Sequence, residues 1–170
     1  ERVASMSGAP IVDADRTRKW LLGVAPTTRV DDAAWSGAYS PEVTRRVYTE
    51  LFCRAASVLD SGRPVVLDAT FRSREWRLKA RDLASSRGIP LYFVECRVSR
   101  EVCLARLHAR AEHRGVSDGR VEILDDFLSS WEPIDELPRG EHLAVDTSQP
   151  LETTVAGLRS VLPSWPPGFT

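Results

Sequence analysis

Residues 61–71 constrain the fold of this 170-residue chain more than any other stretch. A Ser-Gly turn signal and a proline lead into an uninterrupted apolar run at 65–67, which ends at Asp68 and Thr70. An apolar run without alternation predicts a strand covered on both faces, as in a parallel sheet flanked by helices. Ligands of such sheets bind beyond the carboxyl ends of the strands, so both residues are candidates for a functional edge. A turn-forming or helix-capping role for Asp68 explains the same pattern.

Similar apolar runs recur along the chain and alternate with helical patterns. We predict strands at about 10–14, 64–69, 90–96 and 142–147. Helices are predicted at 1–7, at about 16–22, from 41 to the glycine at 62, at 73–86, from 99 into an arginine-rich stretch, at 121–131 and at 151–162. Strands that alternate with helices at these spacings predict an α/β fold with a parallel sheet. Residues 24–40 are predicted to form a loop that faces substrate.

The charge balance favours no polyanionic partner. The chain has 23 basic and 24 acidic residues, a formal net charge of -1, and this gives no overall attraction to nucleic acid or to anionic membranes. Three cysteines without metal-ligand spacing predict reduced core thiols in a cytoplasmic protein. The sequence shows no apolar run of membrane-spanning length and no signal-peptide pattern.

Acidic residues follow three of the four predicted strands. Asp13 and Asp15 follow the first, Asp68 the second and Asp146 the fourth. Because the carboxyl ends of parallel strands share one edge, these carboxylates are predicted to line a common cleft. Such carboxylates suit Mg²⁺ or its waters and a base for a substrate hydroxyl. Helix capping is the alternative for each of them.

A row of arginines, which we call the arginine row, recurs every four residues at Arg106, Arg110 and Arg114. One helix face would present all three guanidinium groups, and like charges at this spacing repel each other. A transferring phosphoryl group is a natural anionic partner, and the glycine-containing break at 115–119 would let the segment move as a lid. A solvated face paired with Glu101 or nearby acids is the alternative.

Two further groups leave their roles open. Arg16, Arg18 and Lys19 follow directly on Asp15, which fits an acceptor-binding site or the outer face of an amphipathic helix equally well. Two large aromatics of the 24–40 loop, at 35 and 39, can stack on a substrate ring or pack in the core.

The order of these motifs resembles a known group of enzymes. The chain contains, in this order, a strand into Asp-x-Asp-x-x-Arg-Lys, then Gly-Arg-x-Val-Val-Leu-Asp-Ala-Thr-Phe, Val-Glu-Cys-Arg, an Arg-x3-Arg lid and Val-Asp-Thr-Ser-x-Pro-Leu-Glu. This pattern resembles the P-loop kinase-like ATPases of the zeta-toxin, gluconate-kinase and polynucleotide-kinase neighbourhood. The nearest likeness is to the bacterial ATP-binding domain fused to aminoglycoside-phosphotransferase-like domains, and it covers residues 1–160.

The resemblance implies an ATP- and Mg²⁺-dependent phosphotransferase and assigns roles to residues. Asp15 matches the general base, and Arg18 matches an acceptor-binding position. Asp68, with Thr70 beside it, matches the acid at the phosphate and Mg²⁺ edge. The arginine row matches lid arginines that clamp the transferring group, which places Arg106, Arg110 and Arg114 in catalysis. Ser148 and Pro150 match the loop near the adenine.

The sequence departs from this family at its start. The family begins with a strand and G-x-x-x-x-G-K-[ST], whose amides, lysine and hydroxyl hold the phosphates, and residues 1–170 contain no such motif. The family places that strand between the strands predicted here at 64–69 and 90–96. We therefore expect residues 1–162 to be the C-terminal portion of a P-loop kinase-like domain, preceded by further sequence, with a Pro-rich tail at 163–170.

The sequence leaves two other functions open. The departure motivates a degenerate nucleotide-binding-fold module that binds a partner without catalysis. A kinase of nucleic-acid ends is the other alternative, which the neutral net charge disfavours. A small-molecule hydroxyl acceptor is the partner that we expect, with no membrane partner.

Overall fold

A computed structural model describes residues 2–111 and 115–162. The predicted strands form at slightly shorter bounds, as β1 (Ile11–Asp13), β2 (Val66–Asp68), β3 (Phe93–Arg97) and β4 (His142–Asp146). β1 pairs with β2 and β3 pairs with β4, both in parallel, so the predicted α/β fold with parallel strands is confirmed.

The two strand pairs are separate sheets in the part of the chain that the structure describes. β2 and β3 nevertheless lie near each other, because the rings of Phe71 and Phe93 meet edge to face with centroids 5.5 Å apart. The charge of Asp68 also contributes to a raised pKa of the Cys96 thiol, after the larger effect of burial. A strand between β2 and β3, which the resemblance implies, would pair with both inner edges.

The predicted helices form before, between and after the strands. Their bounds are α1 (Arg2–Ser7), α2 (Ala14–Leu21), α3 (Pro41–Asp60), α4 (Arg74–Ser85), α5 (Arg100–Ala111), α6 (Leu124–Ser129) and α7 (Leu151–Arg159). Short 3-10 turns precede α3 and α6, at Gly37–Tyr39 and Val121–Ile123. The Ser40 hydroxyl accepts from the Val43 amide and a proline follows it, which explains where α3 starts.

The main core lies beside the first strand pair. Val47 and Leu51 of α3 have no solvent-accessible surface and pack with Val12 of β1 and with the aromatic rings of α3 and α4. β2 and β3 have only half-buried apolar residues, so the prediction that residues 65–67 are covered on both faces is wrong. Val65, Leu67 and Phe93 pack against the main core and remain partly exposed.

The cysteines also differ from the prediction. Cys53 and Cys96 are exposed and Cys103 is half-buried, so the chain has free thiols outside the core. Within residues 2–111 and 115–162, no helix combines the length and apolar character that a membrane span requires.

Candidate active site

A cleft of about 270 Å³ opens at the carboxyl ends of β1 and β2. Its walls come from β1, α2, the 24–40 loop, α3, the turn after β2, α4, the segment after α5, and α6. The residues that line it are Asp13, Ala14, Asp15, Arg18, Trp35, Tyr39, Thr44, Tyr48, Asp68, Ala69, Thr70, Arg72, Trp76, Ser117 and Phe127. The cleft therefore brings together the predicted base, the predicted acceptor arginine, and Asp68 with Thr70.

The acids of the first two strands meet as predicted. Asp13 and Asp68 are register partners at the ends of β1 and β2, and both line the cleft. Asp13 also caps α2, because its Oδ1 accepts a hydrogen bond from the Arg16 amide at 2.7 Å. The capping alternative is thus correct for Asp13, while Asp15 and Asp68 do not cap a helix there.

Asp15 is one of two half-buried acids of the cleft, with Asp13. Burial raises the pKa of its carboxyl, and the neighbouring charges of Asp13 and Asp118 raise it further, while Arg18 and Lys19 lower it. A carboxyl with a raised pKa is a better proton acceptor once it is ionised than an ordinary surface aspartate. Its position in the first turn of α2 directs it to the edge where β1 ends.

Arg18 lies one turn further along α2 and is 7% exposed. Its Nη1 donates to the Ala38 carbonyl at 2.5 Å, and its guanidinium stacks on the Tyr39 ring at 4.7 Å from the centroid. The Nε of Arg18 is buried without a hydrogen-bond partner in the described part of the chain. The interpretation of this helix face as a solvated outer surface is therefore wrong for Arg18.

Lys19 is also buried, with no exposed surface. Its Nζ lies 3.1 Å from Asp118 Oδ1 and donates to the carbonyls of Pro26 (3.0 Å) and Val116 (2.6 Å). Three segments distant in sequence thus meet at one ammonium group. Nothing in the sequence pattern distinguishes Lys19 from an exposed helix lysine.

A second buried cation orders the opposite wall. Arg77 of α4 has no exposed surface, pairs with Glu136 at 2.5 Å, and donates to the carbonyls of Phe71, Arg72 and Pro133. The turn after β2 is therefore fixed to the 133–136 segment. Sequence reasoning predicted the helix but not the burial of this residue.

Aromatic rings close the cleft on the side of the 24–40 loop. The rings of Trp35 and Phe127 stack with centroids 5.0 Å apart, Tyr39 meets Phe127 edge to face, and the Arg72 guanidinium lies 4.0 Å from the Trp35 centroid. Burial lowers the pKa of Arg72. The packing alternative for the loop aromatics is confirmed, because Trp35 and Tyr39 contact Phe127. Both residues also line the cleft, and stacking on a substrate ring stays a prediction.

Two non-glycine residues with left-handed backbones lie at the cleft. Trp35 has φ 63° and Phe71 has φ 44°, the only such residues in the described ranges. Bulky residues adopt this conformation rarely, and persist in it where the surroundings hold them. At Phe71 the holding contact is a hydrogen bond from its amide to the Tyr48 hydroxyl at 2.9 Å, which itself lies 3.5 Å from Thr70 Oγ1.

One described member of the arginine row, Arg110, lies beside the cleft, whereas Arg106 contacts the turn after β4. Arg106 and Arg110 are exposed on α5; Arg106 donates to Thr147 Oγ1 and to the Thr147 carbonyl, and Arg110 Nη1 lies 3.4 Å from Ser117 Oγ. Ser117 lines the cleft, so Arg110 borders it. Arg114 lies outside the described residues. Both arginines are exposed, as the solvated-face alternative predicts, and neither forms an ion pair with Glu101 in the described residues. Glu112, the other acid of that alternative, lies outside the described residues.

The fourth strand stands apart. Asp146 does not line the cleft; its Oδ1 accepts from the Ser148 amide at 2.8 Å, so it stabilises the turn before α7. Ser148 and Pro150 are exposed in that turn, and Pro150 precedes α7. The prediction that acids of three strands line one cleft is therefore correct for two strands and wrong for Asp146.

Metal ligation from the protein is limited. Across the two described stretches, no three His, Cys, Asp or Glu side chains converge closely enough to hold a metal ion. Mg²⁺ ordinarily takes one or two carboxylates, several waters and substrate phosphates, so a site that relies on Asp68 needs no such group. The exposed carboxylate of Asp68 and the exposed hydroxyl of Thr70 at the end of β2 fit this chemistry.

Comparison with known proteins places the cleft within a recognised family. Residues 1–134 match the family model described as AAA domain, which includes every residue that lines the cleft. An uncharacterized protein of Mycobacterium tuberculosis is 30% identical over 153 residues, which is 90% of this chain and 29% of that protein. The chain thus spans 29% of the length of the curated relatives it matches.

Two solved structures share the fold. A candidate kinase from Chloroflexus aurantiacus superposes with a TM-score of 0.64 at 17% identity, over 95% of this chain and 88% of that one. A gluconokinase from Sinorhizobium meliloti superposes with a TM-score of 0.60 at 25% identity, over 93% of this chain and 81% of that one. The strands and helices that build the cleft therefore have counterparts in kinase folds.

Proposed function

The chain belongs to the AAA domain family and to its P-loop kinase-like ATPases, and from this premise we propose that it transfers the γ-phosphate of ATP to a hydroxyl group of a small molecule. The observation that carries the proposal is that Asp15 and Arg18 both line one cleft at the ends of β1 and β2. A carboxyl with a raised pKa and a buried guanidinium one turn away suit an acceptor that must be oriented and deprotonated.

Each residue of the cleft has a role in this proposal. Asp15 accepts the proton of the acceptor hydroxyl at its carboxylate. Arg18 binds a polar group of the acceptor and holds it next to Asp15. Arg106 and Arg110, with Arg114, stabilise the negative charge that develops during transfer. The aromatic wall of Trp35 and Phe127 excludes water, which would otherwise compete as acceptor.

ATP and Mg²⁺ are the cofactors of the proposal. Asp68 and Thr70 would hold the metal with its waters, and the turn at Ser148 and Pro150 would lie beside the adenine. When bound, ATP supplies the phosphoryl group and Mg²⁺ neutralises charge on the phosphates. The fit of Asp68 and Thr70 to oxygen-only ligation of a hard cation supports this assignment.

The proposal extends to the organisation of the whole protein. We propose that residues 1–162 are the C-terminal portion of a kinase domain, and that a preceding segment supplies a strand between β2 and β3 together with the phosphate-binding loop. The separation of the two strand pairs supports this arrangement. The tail at 163–170 lies outside the described residues. A cytoplasmic location, where ATP is abundant, belongs to the same proposal.

The size of the cleft supports a small acceptor. A volume of about 270 Å³ lies just below the range of about 300–1,000 Å³ that is usual for small-molecule sites. The gluconokinase neighbour makes D-gluconate the first acceptor to test, and D-glucose and a 5′-hydroxyl oligonucleotide represent uncharged sugars and nucleic-acid ends.

The test measures transfer from [γ-³²P]ATP by the full-length protein with these three acceptors, in Mg²⁺. We expect transfer to a small hydroxyl compound that Asp15→Asn abolishes. Transfer to the oligonucleotide alone would favour a nucleic-acid kinase, whose binding would weaken as salt rises. Failure of the full-length protein to bind ATP would favour a partner-binding module without catalysis.

A further inference from the structure

The buried ion pair of Lys19 and Asp118 connects the proposed base to two loops that surround the acceptor. Lys19 belongs to the same helix as Asp15 and Arg18, and its three ammonium protons meet three acceptors, on Pro26, Val116 and Asp118. Pro26 belongs to the 24–40 loop, and Val116 and Asp118 belong to the segment that follows the arginine row. The pair therefore joins α2 to two segments that also line the cleft, the 24–40 loop and the segment after the arginine row.

Other bonds reinforce this junction. Asp118 Oδ1 also accepts from the Val30 amide at 3.2 Å, and Arg120 donates to the carbonyls of Val30 and Asp32. Asp32 in turn accepts from the Ala38 amide at 2.7 Å, directly beside the carbonyl that holds Arg18. The network thus runs without a break from the segment after the arginine row to the arginine that faces the acceptor.

The burial of these two charged side chains also costs free energy. The side chains of Lys19 and Asp118 are 0% and 2% exposed, and Asp118 Oδ2 is buried without a hydrogen-bond partner among the described residues. Burial of an incompletely bonded ion pair rarely adds stability compared with apolar residues of the same shape. A role in positioning the site therefore accounts for the two buried charges better than a role in stability does.

We propose that Lys19 and Asp118 are positioning residues that hold the 24–40 loop and the 116–120 segment in register with Asp15 and set the electrostatic field in which Asp15 exchanges its proton. The inference rests on the proposed role of Asp15 as base. It adds to that role an ion pair that connects the 24–40 loop, the segment after the arginine row and the helix that carries Asp15.

The charged and titratable groups around Asp15 decide the direction of the effect. Negative charge that acts on Asp15 comes from Asp13 on β1 and Asp118 on the segment after α5. Asp68 on β2 lines the same cleft. Positive charge comes from Arg18 and Lys19 on α2, and Tyr39 of the 24–40 loop carries a neutral phenol whose pKa is raised by burial. Loss of the Asp118 charge leaves Lys19 unbalanced next to Asp15, so the pKa of Asp15 must fall.

The test compares Asp118→Asn, the double variant Lys19→Met/Asp118→Asn, and Glu136→Gln in the full-length protein. The control Glu136→Gln removes the charge of an equally buried acid, 2% exposed and paired with Arg77, which is not among the groups that shift Asp15. The readout is the titration of Asp15 by ¹³C NMR with labelled aspartate carboxyls, assigned through Asp15→Asn. This measurement needs neither ATP nor an acceptor, so it remains informative if no phosphoryl transfer is found.

We expect Asp118→Asn to shift the titration of Asp15 to lower pH, the double variant to shift it back toward the wild type, and Glu136→Gln to leave it in place. Amide hydrogen exchange should rise together in residues 24–38 and 115–120 of the double variant, since the Lys19 donor is lost. An unchanged Asp15 titration in Asp118→Asn, or the same shift in Glu136→Gln, would overturn the inference. Absence of transfer with the expected shifts would instead count against the proposed function.

Discussion

The backbone amide of Phe71 donates a hydrogen bond to the hydroxyl of Tyr48 at 2.9 Å, and this contact ties the turn that follows Asp68 to α3. Phe71 adopts a left-handed backbone there, and both residues are buried in the main core. The long helix α3 thereby determines where the end of β2 presents its carboxylate and hydroxyl.

Replacement of Tyr48 by phenylalanine tests this contact. Tyr48→Phe leaves the Phe71 amide buried without its acceptor, which should reduce the free energy of unfolding by about 1–3 kcal/mol in urea denaturation. Tyr39→Phe is the matched control, since Tyr39 is equally buried and no hydrogen bond of its hydroxyl is found in the described residues. The control should change stability by about 0.5 kcal/mol or less. Equal losses in both variants would show that the contact contributes nothing of its own.

The Arg77–Glu136 pair should be a major contributor to stability. Arg77→Met leaves the Glu136 carboxylate buried and unpaired and removes donors from three carbonyls, so we expect a loss of about 3–5 kcal/mol. Arg74→Met, at an exposed arginine of the same helix that pairs with Asp135, should lose about 1 kcal/mol or less. Chemical denaturation of both variants checks the difference, and similar small losses would refute it.

Asp15 should make the protein less stable as pH rises. Burial raises the pKa of Asp15 in the folded protein, so the folded state holds its proton to a higher pH than the unfolded chain does. The free energy of unfolding should therefore fall as pH rises from about 3.8, its ordinary value, through the raised pKa. Asp15→Asn should remove this loss and be more stable than the wild type at neutral pH. Urea unfolding across pH checks it; Asp82→Asn, the same change on the exposed surface of α4, is the control.

Arg110 should affect transfer more than binding. If it stabilises the charge on the transferring group, Arg110→Ala should lower kcat about 10³-fold with little change in the KM of the acceptor. Arg100→Ala is the control, because Arg100 is an exposed arginine at the start of the same helix and pairs with Asp125. Steady-state kinetics of the full-length protein distinguish the two; a change in KM only would place Arg110 in binding.

Much of the fold follows from local patterns. The apolar run before Asp68 and the Ser-Pro start of α3 specify elements by themselves, because strand composition and helix capping act over a few residues. The parallel order also placed Asp13 and Asp68 at a shared edge. The partial exposure of β2 and β3 could not be predicted in this way, because the burial of a strand depends on what packs against it and not only on its own sequence.

The deeper parts of the cleft depend on contacts between distant segments. Lys19 and Asp118 are ninety-nine positions apart, and nothing local to either residue indicates that both charges are buried. The positions of Arg77 and Phe127 near the cleft likewise depend on tertiary packing, which local sequence does not indicate. A pattern of charges along one helix predicts an exposed face, and here the surrounding loops cover that face.

The most direct test of the proposed function is the kcat of phosphoryl transfer from [γ-³²P]ATP by the full-length protein and its Asp15→Asn variant. We predict that the variant folds, binds ATP as the wild type does, and loses about 10²–10⁴-fold in kcat, as expected for the loss of a general base. Asp31→Asn, at an exposed loop acid paired with Arg29, should retain full activity. Unchanged turnover in Asp15→Asn would contradict the assignment of Asp15 as the base.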